Sequence, residues 1–217
     1  MGFLDFAVSY LAKQFNRPDS SLFLPKLIRS QRNPAYDPWV IEEQQLPYLF
    51  SHLKAVLKQA TITGISNVSV IGSPSVQNDS IVTAQAQFSK ALPAPDSITI
   101  KGTLMLMQDT GETLTCDFTA SAKGASAETK VTFVENGKRL QATVDELKLT
   151  IPKPYVQALH VDVRVLGSDP SWNALLQNKL NEEKHLDIIV GLLCGKLAEK
   201  QTLQSFSDLL TNAINSI

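Results

Sequence analysis

The sequence has few of the residues that announce chemistry. Two cysteines and three histidines occur in 217 residues, too few for a disulfide framework or a recurrent set of zinc ligands. Neither HExxH, GxSxG, a phosphate-binding glycine loop nor a CxxC pair is present, so zinc, nucleophilic and nucleotide chemistry lack their usual markers. Lysine and arginine number 20 against 21 acids, and such a balance provides no global field for nucleic acid. Apolar runs are short. The richest, Leu186 to Leu197, is interrupted by Asp187, Gly191 and Gly195 and falls below the roughly 18 residues a bilayer span needs. Met1 to Phe15 lacks the basic start of a secretory signal. Together these absences point to a cytoplasmic, non-enzymatic chain with no metal and no cofactor, while export by a non-classical route stays open.

What is present is a hydrophobic pattern that changes period. Phe3, Leu4, Phe6, Ala7, Tyr10, Leu11 and Phe15 recur at helical spacing, and Asn16 and Pro18 end that helix. Pro18, Pro25, Pro34 and Pro38 follow, each fixing φ and removing an amide donor. Residues 1–45 are therefore expected to form a helix and an irregular wrapping segment, with a second unit over 46–217. Leu46, Leu49, Phe50, Leu53, Val56 and Leu57, with Pro47 in the first turn, predict another helix.

From Ala60 the period becomes two. Strands are expected at 60–71, 81–88, 97–107, 113–122, 127–135, 139–151 and 157–166. Turn signals separate them at 72–74, 93–95, 109–112, 123–126 and 135–138, among them the hairpin dipeptide Asn136-Gly137. Connections this short leave no room for crossover helices, so neighbouring strands run antiparallel in a meander. One face is dry: Ile98, Ile100, Leu104 and Leu106 on one strand, Leu114, Cys116, Phe118, Ala120 and Ala122 on the next. The inward parity changes between Val144 and Leu147, which predicts a β-bulge at Asp145 or Glu146. Beyond Gly167 the helical period returns, broken at 181–185 and again at 195–200. The fold class is α+β, a curved antiparallel sheet packed on or wrapped around helices at both ends of the chain.

A sheet of this width outruns one covering helix, which is only ~10–12 Å across. Ala84, Ala86, Ala120, Ala122, Ala127 and Ala142 face inward. Small residues there permit either close helix approach, giving a filled core, or room for a ligand. His160 and Asp162 share a strand face with Arg164, a solvated cluster with no partner nucleophile in the sequence. Cys116 and Cys194 read as buried thiols, His52 and His185 as surface residues, and the Gly191-Gly195 pair as a site of close helix packing.

The stripe Leu46 to Leu57, the strand beginning Ala60-Thr-Ile-Thr-Gly-Ile-Ser-Asn-Val-Ser-Val70 and the closing stripe Leu203 to Ile217 carry a resemblance of element order. In that order the chain resembles the tubular lipid-binding (TULIP) superfamily, including the members encoded beside clostridial neurotoxins. The resemblance implies a curved sheet enclosing an apolar channel, and a lipid or apolar small molecule as partner. The lining expected from the dry faces is Leu53, Leu57, Leu104, Leu106, Phe118, Leu149, Val161, Val163, Phe206 and Leu210. The alternative is an assembly protein with a filled core and a protein partner, working through Met105 and Met107 on the otherwise polar sheet face. Basic and apolar residues interleave over 17–32, a composition that fits peripheral contact with an anionic membrane as well as a packed segment with solvated edges. Oligomeric state is not written in the pattern.

Overall fold

The computed structural model describes residues 2–31, 35–50, 53–88, 97–109, 111, 113–137, 139–152, 155–163 and 170–217. Two helices open the chain, α1 (Phe3–Phe15) and α2 (Leu24–Ser30). Among the described residues ten strands follow: β1 (Trp39–Ile41), β2 (Gln44–Phe50), β3 (Leu53–Thr63), β4 (Val68–Gln77), β5 (Ile81–Phe88), β6 (Ser97–Met107), β7 (Thr113–Lys123), β8 (Ser126–Asn136), β9 (Arg139–Thr150) and β10 (Tyr155–Val163). Three helices close it: α3 (Pro170–Leu180), α4 (Glu183–Leu197) and α5 (Lys200–Ile214), separated at both of the breaks expected from the sequence.

Every described strand pairing is antiparallel, and the α+β class holds. The strands divide between two sheets. The larger has the order β1-β3-β6-β7-β10, with β2 on β3, and the smaller the order β4-β5-β8-β9. The chain passes from one sheet to the other between β3 and β4, β5 and β6, β7 and β8, and β9 and β10. Hairpins β4-β5, β6-β7 and β8-β9 therefore alternate between sheets. Alternation reports which face of a strand is dry but not which neighbour it pairs with, so a single meander and this partition share one sequence pattern.

Three local expectations give way. The helix over Leu46–Leu57 is instead β2 and β3, with Phe50 pairing Leu53. Spacing of three and four arises there from two strands folded on each other, and Pro47 falls where the ladder between Leu46 and Phe50 is irregular, so its missing amide costs no regular hydrogen bond. The strand over 60–71 is two strands in different sheets. Gly64, at φ +93°, turns the chain between them. Residues 72–74 make no turn: Gly72, at φ +67°, lies in an irregularity within β4. The reversal comes at Asn78 and Asp79, both at positive φ, the hairpin geometry asparagine and aspartate tolerate. The bulge in β9 stands as expected, since Lys130 pairs Glu146 and Val131 pairs Val144, leaving Asp145 as the extra residue.

The wrapping segment is more ordered than its prolines imply, because Pro25 occupies the first turn of α2, where no amide is needed. Its end is fastened to the crossover at Gly64. The Asp37 carboxylate accepts hydrogen bonds from the amides of Gly64 (3.2 Å) and Ser66 (2.8 Å) and from the Ser66 hydroxyl. Arg29 donates to Ser66 Oγ at 2.8 Å and Asn67 Oδ1 at 3.0 Å.

Two cores result. One lies under the larger sheet and gathers Ile62, Leu104, Cys116 and Phe118 with Leu176, Leu180, Leu186 and Leu197 from α3 and α4. The other lies under the smaller sheet and gathers Val82, Val131, Phe133 and Val144 with α1 and α5.

Candidate functional site

The inner face of the smaller sheet is ruled in cross-strand rows. Val82, Val131 and Val144 form one, Ala84, Thr129 and Leu147 the next, and Val70, Ala86, Ala127 and Leu149 a third. Valine fills the first row. In the other two the central strands β5 and β8 present alanine or threonine, and the helices above do not sink into the space this leaves. A chamber of about 170 Å³ remains.

Its roof is built from Val8, Leu11, Ala12 and Phe15 of α1, Leu24 and Ile28 of α2, Leu197 at the end of α4, and Phe206, Leu209 and Leu210 of α5. Gln85 and Thr129 are the polar residues of the described wall, and no charged residue joins them. Tyr36 backs the wall, its ring stacked on Phe206 at 5.2 Å and edge-on to Trp39 at 5.8 Å. Burial pushes the Tyr36 hydroxyl above its ordinary pKa. Among the described residues that line it none is titratable, and the chamber can take up apolar groups by excluding water from them.

Both roof helices are fastened to sheet edges by side chains. Asn16, at the end of α1, donates through Nδ2 to the Val70 carbonyl at 2.7 Å and accepts the Val70 amide at 2.8 Å. On the opposite edge α5 meets β9 at three points: Ser207 Oγ accepts the amide of Val144 (2.8 Å), Thr211 Oγ1 that of Ala142 (2.9 Å) and Asn215 Oδ1 that of Leu140 (3.0 Å). Four residues of helix rise ~6 Å and two of strand ~6.7 Å, so the two repeats stay in step over this length.

Of the residues expected to line a ligand site, Leu149, Phe206 and Leu210 face this chamber. Leu57, Leu104, Leu106 and Phe118 are buried in the core of the larger sheet, with Leu53 half-buried against it. The side chains of Val161 and Val163 lie outside the described residues. The roof from α1 went unassigned in the sequence, although the spacing of Val8, Leu11, Ala12 and Phe15 marks an apolar face. Met105 and Met107 are half-buried on the larger sheet, opposite Val56 and Lys54.

Other candidates fare differently. His185 is buried, because the first turn of α4 folds it under α3, where its ring nitrogen donates to the Lys179 carbonyl. Cys116 is buried and its thiol is pushed up to about 11 by desolvation. Cys194 is half-buried and also raised by burial. A Cβ added at Gly191 or Gly195 would meet nothing within 4 Å among the described residues, so close packing does not account for that pair. His52 and Arg164 lie outside the described residues. Among the described residues, no cluster of histidine, cysteine and carboxylate could hold a metal, and no helix is long and apolar enough to cross a membrane.

No family model and no curated protein matches the sequence. Solved structures do match. Takeout 1 of Epiphyas postvittana aligns over 95% of this chain and 91% of its own, at 11% identity and a TM-score of 0.58. The fold is that of the tubular lipid-binding proteins. Lipopolysaccharide binding protein aligns over 95% of this chain at 13% identity and a TM-score of 0.49, and the chain spans only 39% of it. At 11% identity what the chain shares with Takeout 1 is the fold, two antiparallel sheets with helices from both ends of the chain. In this TULIP fold the chamber lies between the smaller sheet and its helices.

Proposed function

We propose that the protein binds an apolar ligand, an alkyl chain or a small ring compound, in the chamber over β5 and β8. The observation that carries this is an almost wholly apolar space of about 170 Å³ facing Ala84, Ala86 and Ala127. A dry engineered cavity of about 150 Å³ is enough to hold benzene. Likeness to a Takeout structure supports the reading, as does the chain's TULIP architecture. Affinity comes from burial, about 2.5 kcal/mol for each ~100 Å² of ligand surface removed from water. Since the wall has little with which to orient a polar group, the ligand is selected by size and shape.

The test is native mass spectrometry of the purified full chain, followed by titration with a fluorescent fatty acid. A saturable site of one probe per chain is expected. Ala127→Phe, which fills the chamber from its floor, should weaken probe binding at least tenfold while leaving the circular dichroism spectrum unchanged. Absence of any copurifying lipid together with absence of probe binding would remove the proposal.

A further inference from the structure

Helix α1 is apolar on two sides. Its inner side walls the chamber. Its outer side carries Phe3, 75% exposed, Phe6, 64% exposed, and Tyr10, 38% exposed, with the rings of Phe6 and Tyr10 stacked 6.3 Å apart. Positions 3, 6 and 10 fall on one stripe of a helix, and the same spacing brings the exposed Lys13 next. The stripe thus runs from purely apolar rings, through an aromatic ring with a polar tip, to a cation on a long apolar stem. That is the order in which side chains meet the boundary of a bilayer, the lysine ammonium staying with the headgroups while its stem lies along the acyl region.

We propose that this outer stripe docks the protein on an anionic membrane surface. Charge favours that occupant. Residues 2–31 hold four basic side chains, Lys13, Arg17, Lys26 and Arg29, against two acids, Asp5 and Asp19, in a chain whose net charge is −1. Both acids are engaged, Asp19 with Arg17 at 2.7 Å and Asp5 with the Gly2 amide at 2.9 Å, and so are two of the bases, Arg17 in that pair and Arg29 on Ser66 and Asn67. Area argues against a second copy of the chain. Three rings at these exposures offer on the order of 350 Å², under half of the ~800 Å² per partner that a stable protein interface buries. A bilayer sets no such minimum, because each exposed ring partitions by itself. The inference rests on the outer side of α1 and the charge of residues 2–31, and stands whether or not the chamber holds a ligand.

Flotation of the full chain with vesicles tests it, using phosphatidylcholine alone and phosphatidylcholine mixed in equal parts with phosphatidylserine. The wild-type chain should float with the mixed vesicles and lose that association in high salt. Phe3→Ser combined with Phe6→Ser should lower binding at least tenfold, and both positions are exposed enough for the fold to persist. Lys13→Glu should weaken binding to the mixed vesicles roughly fivefold or more and leave the behaviour on phosphatidylcholine unchanged. Failure of the wild type to float with either composition would overturn the inference. So would equal flotation of the double variant, or a wild-type dimer in light scattering that the double variant dissolves, which would give the stripe to self-association. Fatty-acid probe binding, measured on the same variants, reports separately on the chamber.

Discussion

Glycine does opposite work at two places in this chain. At Gly102 a Cβ would stand 2.8 Å from the Gln59 carbonyl oxygen and 3.2 Å from the Phe118 ring, against backbone that cannot step aside. At Gly191, inside α4, a Cβ meets nothing within 4 Å among the described residues. Gly102→Ala should therefore cost about 1–3 kcal/mol through overpacking. Gly191→Ala should add about 0.5–1 kcal/mol by restricting the unfolded chain and favouring helix. Urea denaturation of the two variants reads both, and the opposite order of midpoints would refute the account.

Cys116 makes a prediction in pH. Burial raises its thiol from 9.0 to about 11 in the folded chain. Below pH 9 both states hold the proton and the buried thiol keeps its full contribution. Between pH 9 and 11 the unfolded chain gives up the proton first, and stability falls. The melting temperature of the wild type should drop more steeply across that window than that of Cys116→Ala. Parallel curves would show that burial of this thiol is incomplete. That Cys116 is inside was legible from alternation alone. Asn78 and Asp79 were not read as a turn, since the Gly72 to Pro74 signal nearby is the stronger one and proves to be an irregularity within a strand.

Among the elements, α5 is the one whose hold on the molecule is most specific. A helix lying beside a sheet edge leaves the outward amides of that edge without a ladder partner, and three side chains one turn apart take them up here. Ser207→Ala would orphan the Val144 amide in a buried setting, at about 1–3 kcal/mol. Faster hydrogen exchange at Val144 than in the wild type, with Glu135 and other β8 amides unchanged, is the expected signature. Uniform acceleration across the sheet would mean a global loss instead. The sequence showed α5 as an amphipathic helix, and its breaks from α4 and α3 were readable in the polar residues between them. It did not show that Ser207, Thr211 and Asn215 form a second, polar stripe with a strand as its target, because nothing local distinguishes them from solvated residues. The helix read over Leu46 to Leu57 failed in the same way: spacing of three and four belongs equally to two paired strands.

At the scale of the whole molecule, the two-sheet arrangement decides where space is left. In the core of the larger sheet leucine, isoleucine and phenylalanine pack around Ala55, Ala60 and Ala120, while alanine on β5 and β8 leaves the chamber over the smaller one. The small inward residues were visible from the start. Which helices cover them was not, since pairing of a helix with a sheet is settled by contacts far apart in sequence. An apolar ligand that binds only the folded chain raises its stability by about 2.7 kcal/mol at one hundred times its dissociation constant. Differential scanning calorimetry with a saturating short-chain fatty acid should show the melting temperature rising with ligand concentration in the wild type and remaining flat in Ala127→Phe.

Asn16 and Asn215 stand on opposite rims of the same four-stranded sheet, each holding both the amide and the carbonyl of an edge residue. An open rim is a template on which a stray chain can add itself and begin cross-β growth. Here the protein's own helices take up Val70 on one rim and Leu140, Ala142 and Val144 on the other. Asn16→Leu together with Asn215→Leu should shorten the lag before thioflavin fluorescence appears under agitation, even at temperatures where the chain is still folded.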